Sequence, residues 1–292
     1  MKARTNHRLK VGLTVFISLV LITPFLQQQL GILKMRGLAG AVVLAEDVPF
    51  TWEGWFDRSF QHKKTIYLNE HFGFRTSMVQ LHNQLDFSLF EEVHAKGVVI
   101  GKEWYLYEKN YIRAVKGLDF LGDSLIRAQT ARIAQVQDTL QKLGVHLQMI
   151  LAAGKGTFFP EYLPARFDSI PNGPTNYATY LQSFDEAGVH HVDFNAWFRA
   201  MKDTSRYPLY PRCGIHWSKY GEHLVADSLL RLVGQLGPWR LPRLVTDTIV
   251  MDDFNRSTDY DIGRGANLLF RLPTYPMAYP EFHVERDSLT TM

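Results

Sequence analysis

Hydrophobic and polar positions divide this chain into distinct stretches. Residues 11–26 are apolar apart from one glycine, two threonines, a serine and a proline. That run is short of the roughly 20 residues that span a bilayer, but residues 30–33 extend it past three glutamines. A single hydrophobic helix over 11–33 is predicted. Residues 50–74 are dense in aromatics, and Met78, Leu81, Leu85 and residues 87–90 continue the apolar content. Residues 98–102 and 104–107 read as two strands around a turn. After Asp123, a helix N-cap with Ser124 in the first turn, Ile126, Ile133, Val136, Leu140 and Leu143 recur at helical spacing. A short strand over 145–151, a helix over 176–187 closed by Gly188, and a strand over 189–194 follow. Ser218 is a good N-cap for a last helix, whose buried stripe is Val225, Leu229, Leu232 and Val233. From Asp247 onward strong periodicity fades.

Helix, strand, helix, strand with short joints is a βαβ rhythm, which implies a parallel sheet with helices on its faces. Active sites in such sheets gather at the carboxyl ends of strands. Lys155, Glu161, Asp193 and His216 all follow expected strand ends.

Composition refines this picture. Hydrophobic residues make up 46% and aromatics 13% of the 292 residues, enough for one sizeable core and against disorder. The formal charge of +3 comes from Lys2, Arg4, Arg8 and Lys10; without them 28 basic residues face 29 acidic ones. A basic stripe for nucleic acid is therefore not expected. The basic head (residues 1–10) ahead of the apolar run favours a cytoplasmic N-terminus, with an uncleaved anchor at 11–33 and an exported body over 43–292. The rival reading is a cleaved signal peptide, for which Ala39-Gly40-Ala41 has the form of a processing site, though far from the apolar run. Cys213 is the only cysteine, so no internal disulfide forms. Its position three residues before His216 invites a thiol-nucleophile reading, against which a small, semi-buried residue is the simpler one.

The chemistry concentrates in residues 207–230, YPLYPRCGIHWSKYGEHLVADSLL. Pro208 and Pro211 keep the approach extended. Gly214 loosens it, and His216 and Trp217 arrive on a loop delivered to a helix N-terminus. Histidine is the side chain best matched to proton transfer near neutral pH; the alternative is a structural histidine packed on Trp217. Residues 122–125 spell Gly-Asp-Ser-Leu, a nucleophile motif in some esterases, but the stretch before them is a poor strand and a helix follows. Ser228 lies ten residues into a helix from Ser218, about 15 Å along its axis, too far to share a proton with His216. His190 and His191 point to opposite faces of a strand. His216, Glu222 and His223 lack the spacing of a zinc site. No metal or cofactor is expected, and no glycine-rich phosphate loop occurs.

Several separate motifs resemble the SGNH-hydrolase-like alginate O-acetyltransferase family. Residues 214–221, GIHWSKYG, are similar to its D-x-H-W-x-x-x-G segment. Residues 69–75, NEHFGFR, resemble the segment ahead of its first domain helix, and residues 98–107 its V-I-G-K-x-x-W-L-Y pattern. Gly154-Lys155 through Pro160-Glu161-Tyr162-Leu163-Pro164 resembles its P-x-K-x-x-x-Y-P-E-x-L-P loop. Residues 259–269 and 273–280 resemble its final linking segment. The resemblance implies a three-layer α/β domain of SGNH-hydrolase type with a mostly parallel sheet. It also implies an extracytoplasmic acetyltransferase that takes acetyl from a membrane-bound O-acyltransferase and passes it to a polysaccharide hydroxyl. His216 would be the general base. Gly214 stands where the family has the acid that orients it, so Asp193 becomes the candidate orienter. Lys155, Glu161 and Trp217 are the candidate substrate-binding residues. The family's serine follows a further strand, expected where the sequence stops at Met292, so the domain is expected to be C-terminally incomplete with no nucleophile assigned. The expected location is the cytoplasmic (inner) membrane, single-pass, with the body in the periplasm. Two other functions stay open: a non-catalytic carbohydrate-binding or scaffold protein of an acetylation complex, and a stand-alone esterase using Ser124.

Overall fold

The computed structural model describes residues 2–40 and 43–285. Ala41 of the candidate processing site, and residues 286–292 of the expected domain, lie outside the described residues. The chain divides into two units. The first runs to Phe90 and takes in Gly265–Phe270, and the second holds Glu91–Arg264 and the chain from Arg271 on.

The first unit is helical. Helix α1 spans Lys2–Leu30, and within its stretch His7–Leu30 the most apolar window has a mean hydropathy of 2.1 and is only 6% buried. By length and composition it can cross a membrane, as the apolar run predicts, but it ends at Leu30, and residues 31–33 of the expected span are not helical. Helix α2 (Trp52–Phe56) is capped by Thr51, whose hydroxyl accepts the Gly54 N–H at 3.1 Å. Phe50 meets Trp52 and Phe60 edge-on at 5.2 and 5.3 Å, so the aromatic-rich stretch forms a local cluster. Helix α3 (Ser59–His71) and helix α4 (Arg75–Phe90) complete it.

In the second unit, strands β1 (Val98–Ile100) and β2 (Leu106–Glu108) pair antiparallel with Val99 opposite Tyr107, the expected hairpin. Helix α5 (Lys109–Val115) follows. Helix α6 (Asp123–Lys142) starts one residue earlier than predicted. Gly122, at φ 91°, is its N-cap; Asp123 is the acid of the first turn. Strand β3 (Met149–Leu151), the single-turn helix α7 (Lys155–Phe158) and helix α8 (Asn176–Ala187) lead to strand β4 (His191–Asp193). Thr175 caps α8, and Gly188 closes it in the left-handed conformation. Helices α9 (Phe194–Ala200) and α10 (Lys219–Leu236) then precede strand β5 (Arg243–Asp252), the short helix α11 (Asp261–Gly265) and strand β6 (Met277–Glu285).

The sheet is smaller than the βαβ rhythm implies. Strands β3 and β4 do pair in parallel, Met149 opposite His191 and Leu151 opposite Asp193, but only over three residues each. Among the described residues the other ladders are antiparallel pairs, β1 with β2 and β5 with β6. A single mostly parallel sheet is therefore not what they form. Ile150 remains 44% exposed on β3, whereas parallel strands in larger sheets are covered on both faces. The β5–β6 ladder lay in the stretch without strong periodicity. No residue of β5 is fully buried, so its sequence carries no sharp apolar alternation.

The core beside the parallel pair joins Ala153, Phe158, Phe194, Phe198, Leu209, Tyr210 and Val225. Burying an aromatic or branched side chain of this kind contributes about 1.5–3 kcal/mol. Leu224, Leu229 and Tyr220 pack on it from α10, while Val233 is 39% exposed. The buried stripe is thus rotated toward the helix N-terminus, the end that carries His216.

Candidate functional site

The loop from Tyr207 to Ser218 is anchored at both ends. Ser218 caps α10 by accepting the Gly221 N–H at 2.9 Å, and its own hydroxyl donates to the Pro208 carbonyl at 2.7 Å. Its N–H donates to the Leu209 carbonyl at 2.9 Å. Both roles of the Ser218 hydroxyl are thereby filled. On the other side of the loop, the Tyr210 hydroxyl and the Trp217 indole N–H donate to one carbonyl, that of Ala153, at 2.7 and 2.9 Å. Ala153 lies just past the carboxyl end of β3, so the loop is fixed at a strand end, as the topology argument expects.

His216 projects from this loop with 56% of its side chain exposed, and its Nε2 lies 3.3 Å from Asp261 Oδ2. Asp261 opens α11, and its other oxygen is held in place: Oδ1 accepts the Ile215 N–H at 3.0 Å and the Ile262 N–H at 2.7 Å. Two backbone donors on one oxygen aim the second oxygen at the imidazole. An ion pair this exposed contributes about 0–1 kcal/mol to stability, so its geometry matters more for chemistry than for folding. A carboxylate fixed on one ring nitrogen selects the tautomer and leaves the other nitrogen to move a proton.

Gly214 explains why the acid comes from elsewhere. A Cβ there would lie 2.3 Å from the Thr258 carbonyl oxygen and 2.9 Å from the Asp259 carbonyl carbon. The segment entering α11 occupies the space that an aspartate side chain at 214 would need, and that same segment supplies Asp261.

The other expected site residues fall differently. Asp193 is the N-cap of α9, accepting the Ala196 N–H at 2.9 Å and the Tyr177 hydroxyl at 2.6 Å. The carboxylate at His216 is Asp261, not Asp193. Lys155 was expected to meet substrate but has no exposed surface. Its ammonium donates to the carbonyls of Leu106, Arg212 and Gly214 at 2.8, 2.7 and 2.7 Å. Burial pushes the amine down to about 7, against which three acceptors hold the ammonium form, because only –NH₃⁺ offers three donors. Trp217 was expected to offer its ring to sugar; it packs against Phe194 and Phe198 at 6.3 and 5.3 Å between ring centres. Glu161 is spent on a surface pair with Lys202 at 2.6 Å. Cys213 is fully buried, and burial pushes its thiol up to about 11. A thiolate nucleophile is therefore disfavoured there. Ser124 sits exposed on the first turn of α6, with no strand before it. Asp261 was the residue that sequence reasoning missed. Its signal lay in the 259–269 stretch, but nothing local says that this stretch reaches the histidine loop.

The chain resembles several known proteins. A relative, the probable alginate O-acetylase AlgJ of Pseudomonas putida, is 26% identical over 151 residues. That match takes in 52% of this chain and 37% of the relative, so the chain spans little more than a third of that protein's length. Among solved structures, the O-acetyltransferase domain of Pseudomonas putida AlgJ aligns with a TM-score of 0.44 at 20% identity, covering 65% of each chain. AlgX of Pseudomonas aeruginosa aligns with a TM-score of 0.43 at 16% identity, covering 65% of this chain and 44% of that one. The family described as the SGNH hydrolase-like domain of acetyltransferase AlgX matches residues 98–243, a span that holds β1 through the start of β5 and the whole histidine loop. The chain belongs to this SGNH hydrolase-like AlgX acetyltransferase family.

Proposed function

We propose that this chain is an extracytoplasmic protein of exopolysaccharide O-acetylation, held at the cytoplasmic membrane by α1, in which His216 is the general base for acyl transfer. The observation that carries the reading is the His216–Asp261 pair, exposed on a rigid loop, with the carboxylate fixed by two backbone N–H groups. In the transfer step His216 takes the proton of an attacking hydroxyl as its oxygen bonds to the acetyl carbonyl carbon. Collapse then breaks the bond between that carbon and the donor oxygen, which leaves with the proton from His216. Asp261 stabilises the imidazolium in between. The acetyl donor is a membrane-bound O-acyltransferase partner, and the acceptor is an exported polysaccharide. An alginate oligosaccharide is the first to try, because the Pseudomonas putida relative is named for alginate.

The test is acetyl transfer from p-nitrophenyl acetate to that oligosaccharide by the full chain in detergent, followed by mass spectrometry. His216→Ala should abolish transfer. Unchanged transfer in that variant would remove the reading.

A second reading, a carbohydrate-binding member of the complex, rests on a different surface. A cavity of about 1200 Å³ is lined by Trp239, Arg240 and the ion pairs Arg231–Asp227 and Arg243–Glu285, and Trp239 is 49% exposed. An aromatic face beside guanidinium groups suits a carboxylated sugar. Under this reading, Trp239→Ala weakens oligosaccharide binding while His216→Ala leaves it intact.

A further inference from the structure

Lys155 has a role that neither substrate binding nor solvation explains. Its chain enters from α7 beneath the histidine loop, and its three donors end on three main-chain carbonyls from two segments. Two of those carbonyls, Arg212 and Gly214, flank Cys213 just ahead of His216. The third, Leu106, lies on β2, and the Leu106 N–H donates back to the Arg212 carbonyl at 3.1 Å. The Cys213 carbonyl accepts the Gly263 N–H of α11 at 2.9 Å, while the Ile215 N–H is taken by Asp261. Each peptide group from 212 to 215 is thus tied, and the ties run to two walls: β2 and Lys155 on one side, α11 on the other. Around the ammonium stand the rings of Tyr105 and Tyr107, 5.8 and 5.3 Å from Nζ, which exclude water and favour a cation.

We infer that Lys155 is a positioning residue: beyond the one bond from Leu106 to Arg212, its buried ammonium ties the 212–214 main chain to β2, and so sets the distance between His216 and Asp261. The physical reason is the cost of the alternative. A buried carbonyl without a donor is expensive. Three carbonyls converging on one point repel each other unless a cation sits among them. Removing the ammonium leaves the loop to rearrange until those oxygens find water, and that movement carries Ile215, the residue that holds Asp261, with it. The catalytic half of this inference rests on the reading of His216 as the base; the structural half does not.

The experiment compares hydrogen exchange, by mass spectrometry on the full chain in detergent, between wild type, Lys155→Met and Lys155→Gln. Methionine keeps the length of the side chain and donates nothing; glutamine keeps two donors without charge. Exchange in peptides covering Leu106, residues 212–217 and Gly263 should quicken by about 10-fold or more in the methionine variant, with the β5–β6 ladder unchanged. The glutamine variant should fall between. In transfer assays kcat should drop by about 100-fold, the scale of an ångström of misplacement, with KM nearly constant. Unchanged loop exchange in a folded Lys155→Met chain overturns the inference. If His216→Ala leaves acetyl transfer intact, the functional proposal fails while the exchange result still judges the clamp. If neither variant folds, wild type decides through lysine footprinting with an acetylating reagent. Lys155 should react only on unfolding, and labelling at the rate of exposed lysines refutes the clamp.

Discussion

Restoring the family's acid at position 214 should harm this protein. The Cβ of any residue there lies 2.3 Å from the Thr258 carbonyl oxygen and 2.8 Å from Pro211 Cγ. Backbone cannot swing aside as a side-chain tip does, so the 258–261 segment must retreat by about an ångström to reach van der Waals contact. Overpacking of this kind costs typically about 1–3 kcal/mol. At about 2–4 °C per kcal/mol for a domain of this size, Gly214→Ala should lower Tm by about 2–12 °C. Gly214→Asp should lose more, because it also buries a carboxylate among backbone oxygens. The retreat moves Asp261 away from His216, so acetyl transfer should fall along with stability, although aspartate restores the family's motif. Thermal unfolding of the full chain in detergent, followed by circular dichroism and paired with the transfer assay, reads both effects. A Gly214→Asp chain as stable as wild type and at least as active would refute the packing argument and return the orienting role to position 214.

Other expectations separate the two candidate carboxylates and the buried groups. Asp261→Asn should cut transfer by about 10²- to 10⁴-fold, as when a triad loses its orienting acid, with Tm nearly unchanged. Asp193→Ala should instead cost about 1 kcal/mol of stability as a lost helix cap, with kcat retained; the reverse pattern in the same two assays would exchange their roles. Asp259 is fully buried, and burial pushes its carboxyl up to about 6. An aspartate in the unfolded chain titrates near 3.9, so the folded state holds the extra proton between about pH 4 and 6. Its contribution to stability is full below about pH 4 and is lost as pH rises through 6, up to about 3 kcal/mol. Urea unfolding across that range checks the slope, which Asp259→Asn should flatten. Cys213 should resist maleimide in the folded chain and react only on unfolding; rapid labelling would contradict its burial.

Much of the local structure was legible in the sequence. The apolar run, the Ser218 cap, Gly188 after α8, and the hairpin over 98–108 are fixed by neighbours within one or two turns, so their signals sit close together. The presentation of His216 ahead of a capped helix belongs to the same class. What surrounds it does not. Ile215 and Asp261 stand 46 positions apart, and Lys155 lies 57 and 59 positions from the carbonyls it ties. No local pattern distinguishes a lysine buried under three carbonyls from one in solvent, or an aspartate that caps a helix from one that orients a base. Asp193 and Asp261 both begin short helices, and only the packing of Gly214 against residues 258–259 decides which carboxylate meets the imidazole. Sequence alone determined where the histidine is held; the tertiary contacts chose its partner, because a glycine with no room for a side chain left that place to a carboxylate from another segment.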